Sequence, residues 1–113
     1  MHEQSIVAAL LSMALEDAKK DNARRIISIK LVVGELTGVE KDAVSFYFGF
    51  MAKNTIAAGA SLEFNYTKAQ LRCRDCDIIF PRDKLKFNCP ECNKKAIEIV
   101  GGRELYIESM GII

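Results

Sequence analysis

The sequence predicts an α+β fold, a small sheet of about three strands with two helices, carrying an inserted four-cysteine ribbon. Three observations predict it. Helical and strand periodicities alternate over the first 67 residues. Two Cys-x-x-Cys pairs, at 73–76 and 89–92, then interrupt the pattern. A further strand pattern closes the chain around Leu105 and Ile107. A lone last strand cannot make a sheet, so it is expected to return to the earlier strands, which makes the cysteine segment an insertion. The expected division is residues 1–70 with 101–113 in one domain and residues 71–100 in the other.

The elements follow in order. Residues 5–20 read as an amphipathic helix, because Val7, Leu10, Leu11, Ala14, Leu15 and Ala18 keep the three-four spacing of one buried stripe. Ser12, Glu16, Lys19 and Lys20 fall on the wet side, and the two lysines suit the negative end of the helix dipole. Asp21-Asn22 is the expected exit. Residues 25–33 read as a strand, with Ile27, Ile29, Leu31 and Val33 on one face. Ile26 and Val32 add apolar weight to the other face, which suits a central strand. Gly34 to Gly38 is a loop. Residues 40–53 read as a second helix with Val44, Phe48 and Met51 on one stripe. Phe46, Tyr47 and Phe50 widen that stripe, so burial from more than one side is expected. Leu62, Phe64 and Tyr66 alternate as a strand, Ile97 and Ile99 mark a short one, and Leu105, Ile107 and Met110 lie in the last.

Composition narrows the function. The chain has 113 residues, half of them hydrophobic, enough for one domain or a domain with a small annex. The formal charge is +1, so nothing draws the whole chain to nucleic acid or an anionic membrane. No apolar run is long enough to span a bilayer, and the start has no basic segment followed by a continuous apolar one, so a cytoplasmic protein is expected.

In a reducing compartment, clustered cysteines are metal ligands or redox groups more often than disulfides. Two residues between thiols let one tight turn aim both sulfurs at a point. Two such turns face each other as a thiolate tetrahedron, which suits Zn²⁺. The module is therefore read as a zinc ribbon with ligands Cys73, Cys76, Cys89 and Cys92. Two disulfides, a redox pair and an iron centre are the competing readings. Asp77 and Asn93, after the second Cys of each pair, tolerate the left-handed conformation such a turn needs. Phe80 and Phe87 are candidates for a miniature core. So short a segment cannot offset its own ordering entropy, so metal binding is expected to supply most of its folding free energy. A closed four-thiolate site makes that zinc structural rather than catalytic. From Leu71 to Lys95, seven basic against four acidic residues leave +3. A tetrathiolate zinc carries −2, which leaves about +1 and little for a phosphate stripe.

The only histidine is His2. A free Met1 amine, the His2 amide and the His2 imidazole together offer three nitrogens near one plane, a set that Ni²⁺ and Cu²⁺ favour. The Glu3 amide or carboxylate, water or a partner's ligand is a candidate for the fourth position. A histidine at residue 2 is also commonly solvated and inert, and Glu3 suits the positive end of the following helix.

Met1-His2-Glu3-Gln4-Ser5-Ile6 resembles the start of the HypA/HybF family, the nickel metallochaperones of nickel–iron hydrogenase maturation. Val33-Gly34-Glu35-Leu36-Thr37-Gly38-Val39 is similar to the family's loop after its first strand, the two Cys pairs to its zinc module, and Gly102-Arg103-Glu104-Leu105 to its final strand entry. These blocks stand in family order over essentially the whole chain. The resemblance implies a nickel-binding α/β domain with an attached zinc ribbon. It implies Ni(II) as transported cargo on Met1, His2 and Glu3, and Zn(II) as a structural ion on the four cysteines. It implies two partners, a nickel-binding GTPase and the hydrogenase large-subunit precursor, with urease maturation served by some members. The inserted ribbon also leaves room for a homodimer by strand exchange. Some relatives add a histidine of the zinc module to the nickel site, which this chain lacks. It also ends in Met110-Gly111-Ile112-Ile113 rather than a charged tail. The reading from outside the family is a zinc-ribbon adaptor for nucleic acid or a protein assembly. An enzyme is not expected: no second histidine serves as a base, the zinc is closed, and no phosphate-binding Gly-rich loop appears.

Overall fold

A computed structural model describes residues 3–82 and 88–113. In chain order the elements are α1 (Glu3–Lys20), β1 (Ile26–Gly34), a 3-10 turn (Glu35–Thr37), α2 (Lys41–Met51), β2 (Ser61–Thr67), β3 (Gln70–Cys73), β4 (Ile79–Pro81), β5 (Ile97–Gly101) and β6 (Leu105–Ile112). They form two three-stranded sheets, ordered β2-β1-β6 and β4-β3-β5. The chain divides into two compact units. One comprises residues 1–32, 39–65 and 105–113; the other comprises residues 33–38 and 66–104.

In the first unit, α1 buries Val7, Leu10, Leu11, Ala14 and Ala18, the stripe its spacing predicts, while Leu15 stays half-buried. The helix starts two residues earlier than its apolar period, at Glu3, whose carboxylate favours the positive end of the dipole. It ends as predicted: Asn22 takes a left-handed φ of 54°, and the Ala23 amide donates to the Ala18 carbonyl at 3.0 Å. The first sheet has β1 at its centre, as two-sided apolar weight predicts, and β6 returns to its edge. Arg25 and Ile113 exchange backbone bonds at 3.3 and 3.0 Å, so the end of the chain is tied to the entry of β1. Val7, Leu10, Val44, Phe48, Ile29, Leu31, Leu62 and Ile107 close to a cavity of about 10 Å³. That leaves room for about one water molecule, so this core is closely packed.

Two groups of apolar residues depart from the sequence expectation. Phe46 and Phe50 are 71% and 68% exposed, so α2 is buried along Val44 and Phe48 alone. The width of an apolar stripe does not say how many sides are covered; the first sheet and α1 supply only one. Likewise Ile27 is exposed while Ile26 is fully buried, because the Ile26 amide donates to the Ile56 carbonyl at 2.9 Å and turns that residue inward at the strand entry.

The second unit has its own sheet, which the sequence reading did not separate from the ribbon. Both pairings are antiparallel: Leu71 faces Phe80 on β4 and Ile99 on β5, and Cys73 faces Ile97. A register shift between Gln70 and Leu71 leaves Val100 bulged and exposed. Phe80 is half-buried in β4, whereas Phe87 lies outside the described residues.

Residues 33–38 join this unit through a set of bonds to 67–69 and 102–104. The Gly34 amide donates to the Glu104 carbonyl at 2.6 Å, and the Leu36 amide to the Gly102 carbonyl at 2.7 Å. The Glu35 carboxylate accepts from the Ala69 amide at 2.7 Å. The Glu104 carboxylate accepts from the Thr67 hydroxyl at 2.7 Å and the Gly102 amide at 3.0 Å. A Cβ at Gly34 would lie 2.2 Å from the Gly102 oxygen. Gly102 itself has φ +100°, and a Cβ there would lie 2.6 Å from the Ala69 backbone. Both positions therefore require glycine, one for close approach and one for backbone conformation as well.

Candidate metal centre

The four cysteines arise at two matching turns. In the first, the Asp77 amide donates to the Cys73 carbonyl at 2.8 Å and the Cys73 amide to the Ile78 carbonyl at 3.0 Å. In the second, Asn93 donates to Cys89 at 2.9 Å and Cys89 to Lys94 at 3.0 Å. Asp77 and Asn93 have φ values of 63° and 59°, the left-handed conformation that their residue types predict. Each reverses the chain so that the Cys pair before it points to one side.

The sulfurs converge. All four lie within 4.8 Å of one another, and none is in a disulfide. Cys73 Sγ is 3.6 Å from Cys92 Sγ, and Cys89 Sγ is 3.8 Å from Cys76 Sγ. A tetrahedron with metal–sulfur bonds of about 2.3 Å has edges of about 3.8 Å. The donor set therefore fits a tetrahedral metal ion without rearrangement. As thiols, Cys76 and Cys89 differ. Burial tends to raise the Cys89 pKa, but backbone amides of Cys92 and Glu91 donating to its sulfur outweigh that and lower it to about 7. Cys76 is pushed the other way, by its hydrogen bond to Cys92, then by burial and by the remaining cysteines. A metal ion bound to the four sulfurs would replace their protons.

Charged neighbours brace the turns. Arg72 pairs with Glu98 and with Asp77, and its guanidinium is held protonated first by Glu98 and then by Asp77. Arg74, between the first two cysteines, reaches Glu98 at 3.6 Å. Lys94 reaches Asp75 at 3.5 Å, linking the residue before Cys76 to the segment after Cys92. Three basic residues of the module are thus paired inside it.

A family model described as "Hydrogenase/urease nickel incorporation, metallochaperone, hypA" matches residues 1–112. The chain belongs to the HypA family. The hydrogenase maturation factor HypA of Caldanaerobacter subterraneus subsp. tengcongensis is 39% identical over 113 residues, covering 99% of both chains. The HypA of Dehalococcoides mccartyi is 40% identical over 112 residues, covering 99% of this chain and 94% of its own. The solution structure of the Ni metallochaperone HypA from Helicobacter pylori superposes with a TM-score of 0.70 at 27% identity, over 100% of this chain and 98% of that one. A second HypA solution structure gives 0.78 at 28% identity, over 100% and 97%.

Of the residues singled out from the sequence, the four cysteines come together. Glu3 opens α1 and is half-buried, while Met1 and His2 lie outside the described residues. What sequence reasoning did not assign is the bond set of Glu35 and Glu104. Both stand in HypA-like blocks, and each carboxylate follows a glycine that approaches another backbone closely. That pairing of a Gly with a nearby Glu in two separate blocks was the available signal.

Proposed function

We propose that the chain is a nickel metallochaperone that binds Ni(II) at its N-terminus and delivers it during maturation of nickel–iron hydrogenase. The observation that carries the reading is HypA family membership over residues 1–112, together with relatives of matching length named as hydrogenase maturation factors. The nickel ligands in this reading are the Met1 amine, the His2 amide and imidazole, and Glu3 through its amide or carboxylate. A cation beside the start of a helix opposes the helix dipole. A deprotonated amide and the Glu3 carboxylate offset that by lowering the charge of the nickel group. No side chain deeper in the chain offers imidazole, so in this reading the imidazole of the site comes from His2 alone.

Cys73, Cys76, Cys89 and Cys92 hold structural Zn(II) in this reading. The ion neutralises part of the thiolate charge and ties the two turns together. Residues 1–70 with 101–113 then form the nickel-binding domain, and residues 71–100 the zinc ribbon. The work is transfer rather than catalysis, and its place is the cytoplasm. No helix among the described residues is long and apolar enough to cross a membrane. The partners are the hydrogenase-maturation GTPase and the hydrogenase large-subunit precursor, with urease maturation as a further client system. A homodimer by exchange of the ribbon is compatible with these roles.

The test is complementation. In a cell whose own HypA gene is deleted and nickel is limiting, the chain should restore hydrogenase activity, and His2→Ala should not. Restoration by His2→Ala to the wild-type level would remove the terminal site from the delivery step.

A further inference from the structure

The two cysteines of each turn differ in the same way. Cys73 and Cys89 are 0% and 1% exposed, while Cys76 and Cys92 are half-buried. Cys73 Sγ accepts from the Cys76 amide at 3.5 Å. Cys89 Sγ accepts from the Glu91 amide at 3.4 Å and the Cys92 amide at 3.5 Å. Among the described residues no amide donates to Cys76 or Cys92, whose sulfurs meet only the other sulfurs. The cause is the turn itself, which points the amides at its far end back at its first sulfur. Each knuckle therefore has an inner cysteine, buried and with its sulfur amide-bonded, and an outer cysteine, half-buried and with no amide on its sulfur among the described residues.

Both differences act in one direction. An amide donor draws electron density from a thiolate, which makes it a poorer nucleophile and a poorer proton acceptor. Burial keeps water, thiols and electrophiles away from it. We propose that Cys76 and Cys92 are the exchangeable ligands of the metal centre, the two that detach and react first, while Cys73 and Cys89 anchor it. This rests on the tetrathiolate zinc reading above. Were zinc held there, an outer thiolate displaced by an external thiol would take up the proton that thiol loses. Because the outer pair draws one sulfur from each turn, losing both leaves each turn held by a single sulfur.

The test uses the wild-type chain as purified, with its metal content measured first. Limiting iodoacetamide is added, each thiolate forming a sulfur–carbon bond as iodide leaves, and labelled peptides are quantified over time. Rates are normalised to those of the unfolded, chelated chain. Cys76 and Cys92 should label roughly tenfold faster than Cys73 and Cys89 in the metal-loaded protein. Equal rates at all four below the free-thiol rate, or earlier labelling of Cys73 or Cys89, would overturn the assignment while leaving the metal site standing. A chain without bound metal whose four thiols all label at the free-thiol rate would instead overturn the zinc reading itself, and the assignment with it.

Discussion

At the scale of single residues, the second unit depends on two glycines and two carboxylates. Gly34 has an ordinary φ of −75°, so alanine there is not excluded by its backbone. It is excluded by the Gly102 carbonyl, which occupies the space of a Cβ. Gly34→Ala should therefore destabilise the second unit by at least about 2 kcal/mol, the cost of forcing packed backbone apart, as read by urea unfolding. Unchanged stability would mean that the close approach relaxes freely. Glu104 gives a pH signature. Its carboxyl is held below the usual range, first by the Thr67 hydroxyl and then by the Gly102 amide. Its stabilising contribution is therefore complete above the unfolded value of about 4.3 and is lost as pH falls through the lower folded value. Glu104→Gln should make stability less dependent on pH in that acid window. Identical slopes for the two proteins would show that the hydrogen bonds do not distinguish the charged form.

At the scale of elements, the helices and the metal turns answer to different forces. α1 and α2 bury Val7, Leu10, Val44 and Phe48 against the first sheet, and this packing needs no ion. The β4-β3-β5 sheet is short, with strands of three to five residues, and three large apolar residues within it, Ile79, Ile99 and Val100, are exposed. Its order should depend on the metal centre at the end of β3. Stripping the metal with a strong chelator should leave the helical circular dichroism largely intact. It should broaden or collapse the amide resonances of residues 70–81 and 88–101. Loss of helix signal in step with metal loss would show that the two units fold as one. Much at this scale was legible in the sequence. Periods of 3.6 and 2 marked α1, β1, β2 and β6, and turn chemistry marked Asn22, Asp77 and Asn93. The exposed faces of Phe46 and Phe50 were not legible, because periodicity reports which residues align and not what lies opposite them.

At the scale of the whole molecule, the two metal roles proposed above would use different parts of the chain and different chemistry. Four thiolates, already spaced for a tetrahedron, suit a resident ion. A terminal amine, amide and imidazole suit a cargo that has to leave. The Cys spacing made the first site readable from sequence, since two matching motifs constrain geometry by themselves. The second is proposed only on the strength of the family blocks around it, because one histidine carries little information alone. The bonds from Glu35 to Ala69 and from Thr67 to Glu104 span 34 and 37 residues. Contacts so distant in sequence have no period and leave no local pattern.

Nickel binding at the terminal histidine is the step on which the proposed function depends. A calorimetric Ni²⁺ titration of tag-free, metal-loaded protein beside His2→Ala tests it most directly, because the Met1 amine has to be free. The wild type should bind one nickel per chain, His2→Ala should lose that binding, and the two should share one melting temperature. Equal nickel binding by the two proteins, or none by either, would contradict that reading.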